Sequence, residues 1–129
     1  MLKIVDIHTS NSAAGEYVVL QNQGLTTVTL RGWALCTETY LYGDAHEAAS
    51  GMHIFADDVA IKPYTRVVLF TGTGENGWHP TVDGKFAYLV YWGRQYPIWS
   101  TTESIQLLNV ASSRRVAPAR TEDLQLIGV

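Results

Sequence analysis

The chain has 129 residues, 47% of them hydrophobic and 16% charged, a length and balance that fit one folded domain, residues 1–129, and exclude a disordered chain. Nine Lys and Arg stand against twelve Asp and Glu, so the net charge is −3 and no basic stripe is offered to nucleic acid. A single cysteine excludes an internal disulfide, and no apolar run approaches the ~20 residues that span a bilayer.

From the N-terminus, Met1 leads straight into Leu2-Lys3-Ile4-Val5 without a stretch of signal-peptide length. A full-length chain of this kind is expected in the cytoplasm, with no membrane insertion. Residues 2–8 alternate as a strand, with Leu2, Ile4 and Asp6 on one face. Residues 10–15 are turn chemistry, and Glu16 to Asn22 is the next strand. Thr26 to Leu30 and Trp33 to Thr37 follow, separated by Arg31-Gly32. Cys36 reads as a small buried hydrophobe in the second of these. Asp44 suits the cap of a short helix over residues 45–49, closed by Gly51. Strand signals resume at His53-Ile54-Phe55. Ile61-Lys62-Pro63-Tyr64 reads as a turn, and Arg66 to Thr71 as a strand buried on both faces. A Gly-rich loop is expected from Gly72 to Gly84. Phe86–Trp92, Ser104–Leu108, Arg115–Ala117 and Leu124–Ile127 complete the strands. Short strands with turns every 8–12 residues predict an antiparallel β-sandwich, with at most one short helix in an insertion.

Motifs for chemistry fail on context. Gly72-Thr73-Gly74-Glu75-Asn76-Gly77 matches a dinucleotide fingerprint in letters, but Trp78-His79-Pro80 cannot open the helix that the pyrophosphate needs. Gly84-Lys85-Phe86 puts Phe where a phosphate loop requires Ser or Thr. Asp44, His46, Glu47 and His53 lie close in sequence, yet loop proximity does not supply metal geometry. Arg114, Arg115 and Arg120 read as a solvated cluster. No catalytic constellation, cofactor site or metal site emerges, and the expectation is a protein that is not an enzyme.

The order of the pieces resembles the lamin-tail domain family, bacterial members included. Glu16-Tyr17-Val18-Val19-Leu20-Gln21-Asn22 is similar to the family's E-[YF]-V-x-L-x-N strand, and Leu30-Arg31-Gly32-Trp33-Ala34-Leu35 to its L-x-G-W-x-L. His53-Ile54-Phe55, Ile61-Lys62-Pro63 and Val67 to Gly74 resemble its Y-x-F, L-x-P-G and V-x-V-x-T-G-x-G elements. Tyr91-Trp92-Gly93, Ile98-Trp99-Ser100 and Ser104 to Asn109 resemble its Y-W-G, V-W-N and D-x-A-x-L-x-D elements. The resemblance covers residues 2–118 and implies an immunoglobulin-like sandwich that binds or assembles without catalysis. Tyr64 departs from it by standing where the turn Gly belongs, and Ser100-Thr101 replaces an Asn pair. Residues 39–52 and 75–87 are longer than the family core, and insertions are where individual function sits.

Seven of the fourteen aromatic residues lie between Trp78 and Trp99. Neighbours on a strand point to opposite faces, so these rings cannot all share one core. Trp92 and Trp99 are expected inside. Trp78, Tyr88, Tyr91 and Tyr96, with Arg94, form the candidate interaction surface, since amphipathic rings anchor interfaces. The function expected is protein association or self-assembly, with a protein partner or a second copy. The alternative is a module for glycans or cell-surface polymers, on whose sugars flat rings stack. Nucleic-acid binding ranks last on charge.

Overall fold

A computed structural model describes residues 1–37, 51–101, 104–109 and 126–128. Their strands are β1 (Leu2–His8), β2 (Tyr17–Asn22), β3 (Val28–Thr29), β4 (Trp33–Thr37), β5 (Met52–Ile54), β6 (Ala60–Ile61), β7 (Arg66–Phe70), β8 (Gly77–Pro80), β9 (Phe86–Tyr91) and β10 (Ile105–Asn109). Single 3-10 turns lie at Ala13–Gly15 and Trp99–Thr101. The expected helix at 45–49 and the strand at 115–117 lie outside the described residues. Of the last expected strand, residues 126 and 127 are described and form no strand.

The architecture is an all-β sandwich. β1, β2, β7, β9 and β8 form a five-stranded sheet in that order, and β10, β4 and β5 a three-stranded one. β3 and β6 make a short pair at the side. The core lies between the two larger sheets. Val18, Leu20, Val67, Leu69, Tyr88 and Val90 come from the first; Leu35, with Trp33, Ile105 and Leu107 packed behind it, comes from the second. The period of two explains the choice of residues: Val18, Leu20 and Asn22 are buried, while Tyr17, Val19 and Gln21 are half-buried on the outer face. β7 repeats this pattern, so its second face is half-covered and not core as expected.

Three features depart from simple alternation. Ile4 opposes Leu20 but Asp6 opposes Val19, so Val5 is the extra residue of a bulge. The bulge moves Asp6 off the face of Leu2 and Ile4. Residues 77–80, expected within a loop, form β8, which pairs antiparallel with β9 and closes the sheet edge with Pro80. β7 and β9 pair in parallel, with Val67 beside Tyr88 and Leu69 beside Val90. Every other pairing among the described residues is antiparallel. The parallel pair makes β7 and β9 start at the same end of the sheet.

Buried polar side chains fasten both ends of β2. Asn22 Oδ1 accepts from the Met1 amino group (2.9 Å) and the Gly24 amide (3.0 Å). Its Nδ2 donates to the carbonyls of Thr26 and Ile61, each at 2.9 Å. At the other end Glu16, 0% exposed, accepts on one oxygen from the Thr71 hydroxyl (2.6 Å) and the amides of Ile98 (2.8 Å) and Trp99 (3.2 Å). These bonds offset the cost of burying such groups, although the second Glu16 oxygen, Oε2, is buried without a partner among the described residues. Glu16 and Asn22 of the strand motif therefore act as ties between distant segments.

Candidate functional site

The five candidate surface residues do not converge on one face. Tyr88 is only 8% exposed and belongs to the core. Its hydroxyl donates to Asp57 Oδ2 (2.5 Å), and Asn76 Nδ2 donates to the same oxygen (3.0 Å). Burial first, and then the Asp57 carboxylate, push the Tyr88 hydroxyl up to about 12. Tyr91, three residues on, points to the opposite side of β9 and stacks on Phe70 with ring centres 4.9 Å apart. Arg94 lies over the Trp92 ring at 5.4 Å, and its amide donates to Thr71. Tyr96 is exposed in the following loop. Trp78 is exposed on β8, its ring edge-on to Tyr88 at 5.2 Å.

Two surfaces emerge in place of one. The first is the outer face of the five-stranded sheet. Pairing puts Tyr17, Phe70 and Tyr91 in one row across β2, β7 and β9, and Val19, Val68 and Leu89 in the next. The first row continues to His8, which stacks on Tyr17 at 4.8 Å. Asp6, Gln21 and Arg66 border this block, lining a shallow depression with Tyr17 and Val19. Gly74 has a steric reason: a Cβ there would collide with the Tyr91 ring.

The second surface is a cleft of about 530 Å³ where β7 and β9 begin and β8 ends. The turn before β7 supplies Lys62 and Tyr64; the β8–β9 hairpin supplies Trp78, Asp83, Lys85 and Phe86. Tyr64 has φ of 65°, the left-handed region. The Thr65 amide donates to the Lys62 carbonyl (3.1 Å), which makes residues 62–65 a β-turn with Pro63 in its second position. Positive φ at the third position normally requires Gly, and a bulky residue there costs about 1–3 kcal/mol. The Tyr64 amide donates to the Asn22 carbonyl (2.6 Å), and its carbonyl accepts from Gln21 Nε2 (3.2 Å), so the backbone is fixed in this state. The hairpin closes with the Thr81 amide on the Lys85 carbonyl (2.9 Å) and Gly84 at φ of 80°. Asp83 is held below the usual carboxylate range, first by the Thr81 hydroxyl and then by the Lys85 amide. The charges of Lys85 and Arg66 add to this.

Sequence reasoning passed over Lys62, Tyr64, Arg66 and Lys85 as site residues. The available signal was Pro63-Tyr64 in place of Pro-Gly. The Gly72–Gly77 stretch runs into strand β8, where a dinucleotide fingerprint needs a helix. Of the possible metal cluster only His53 is described. Its ring packs edge-on to Phe55 (4.9 Å) and Trp92 (5.4 Å), and burial pulls it down to about 4, partly offset by Asp57. Cys36 is buried, which pushes its thiol up. No helix among the described residues is long and apolar enough to cross a membrane. A scan against protein-family models finds no match, and a search of curated proteins finds none either.

Proposed function

We propose that the chain is a non-catalytic binding module, lamin-tail-like in kind, that associates with protein through the outer face of its five-stranded sheet. A second copy of the chain is the partner to test first. The observation that carries this reading is the apolar block at the centre of that face. Side chains pointing away from a sandwich core are ordinarily polar. Here two adjacent rows are Tyr17, Phe70, Tyr91 and Val19, Val68, Leu89. An apolar centre within a polar margin of Asp6, Gln21 and Arg66 has the anatomy of an interface. Sheet faces of this kind stack directly on one another. Two further facts favour binding over catalysis. One oxygen of the buried Glu16 carboxylate is taken up in tying segments together, and a raised thiol makes Cys36 a poor nucleophile.

The test is light-scattering mass after size exclusion at two well-separated concentrations. A mass above the monomer that persists on dilution is expected. Val68→Glu, which places a charge inside the block and leaves Val67 and Leu69 in the core, should return the chain to monomer. Wild-type monomer at both concentrations breaks the self-association reading.

A further inference from the structure

The cleft at the other end of the sheet has chemistry that protein association through the outer face does not use. Its volume, about 530 Å³, lies in the range of small-ligand sites, ~300–1,000 Å³. Three aromatic side chains stand around it with much of their surface free: Tyr64 at 60%, Trp78 at 48% and Phe86 at 58% exposure. Among the described residues, three cations, Lys62, Arg66 and Lys85, line it against the single carboxylate of Asp83. The wall is therefore locally positive in a chain whose net charge is −3.

Tyr64 gives the cleft its meaning. Its ring buries little, so folding gains little from it, while its backbone sits where Gly belongs. Strain kept at one displayed side chain points to a contact outside the chain. Trp78 is likewise held ready, because its neighbour Tyr88 is fixed by Asp57. Exposed Tyr and Trp rings offer flat faces suited to the C–H face of a pyranose, whose hydroxyls remain in water. The three cations ask for a carboxylate on that sugar. A long polyanion is a poor match: it needs a basic track along the surface, and the net charge opposes it.

We propose that this cleft binds a short acidic carbohydrate, its rings stacked on Tyr64 and Trp78 and its carboxylate facing Lys62, Arg66 and Lys85. The site meets the margin of the outer face at Arg66, but its rings and its other two cations lie off that face, so sugar binding is tested independently of association. The test is titration calorimetry on the full chain with a galacturonate trisaccharide, a neutral galactose trisaccharide and a thymidine trinucleotide. Saturable binding of the acidic sugar is expected, with the neutral sugar weaker by roughly tenfold and the trinucleotide weaker still. Tyr64→Gly should cut affinity by roughly tenfold while its unfolding midpoint stays equal or rises, since Gly suits the turn. Lys62→Gln with Lys85→Gln should erase the preference for the acidic sugar. Absence of saturable binding, tighter binding of the trinucleotide, or undiminished affinity in Tyr64→Gly would each overturn the proposal.

Discussion

Where β2 begins and β7 and β9 finish, Tyr17, Phe70 and Tyr91 turn their rings toward one another. Where β7 and β9 begin, Tyr64, Trp78 and Phe86 leave theirs to solvent. The first end has regular strand backbone and a buried carboxylate tying its loops together. The second has a left-handed Tyr and a set of exposed cations. The two ends therefore suit different contacts: rings packed on one another make a flat apolar face fit for a protein surface, and free rings beside cations make a cleft fit for a small charged ligand.

The largest expected effect is at the first end. Glu16→Ala leaves the Thr71 hydroxyl and two amides without their acceptor, and should lower stability by about 3–5 kcal/mol in denaturant unfolding. Phe70→Ala removes a half-buried ring wedged between Tyr17 and Tyr91, and should cost roughly 1–3 kcal/mol by the same measurement. If Phe70→Ala costs nothing, the rings of the first end support nothing and the contrast fails.

Titration sharpens the contrast further. His53 packs on Trp92 at the first end and is held down to about 4, against about 6.5 in an unfolded chain. Between these values the unfolded state binds more protons, so stability falls as pH drops from about 6.5 to about 4, then levels. The loss should be roughly 1–3 kcal/mol, and His53→Gln should remove it from the pH series. The smallest effect has the opposite sign and belongs to the second end. Tyr64→Gly should raise stability by roughly 0.5–1 kcal/mol, the relief of strain less the entropy that Gly adds to the unfolded chain. A loss there would mean that the Tyr64 ring serves the fold.

The strands that carry the core were legible because their residues alternate. β2, β4, β7, β9 and β10 fall close to where Val18 and Leu20, Leu35, Val67 and Leu69, Val90, and Ile105 and Leu107 put them. β8 was not legible, since Gly77 and Pro80 bound a segment of only four residues. The bulge at Val5 was hidden for a similar reason: alternation says which residues share a face only while the register holds. The cleft was hidden for a deeper one. A period of two carries no strand direction, and only the parallel pairing of β7 with β9 brings residues 62–66 beside residues 78–86. Tyr91 was assigned to the same surface as Trp78, which lies at the other end of the sheet and on its opposite face.

The edges of the five-stranded sheet set a limit on growth. One is β1, interrupted at Val5, and the other is β8, which ends in a proline that has no amide to donate. Neither edge presents an unbroken row of backbone groups for a copy to extend. Edge-to-edge growth of this sheet is therefore blunted by its own backbone, whatever its outer face binds.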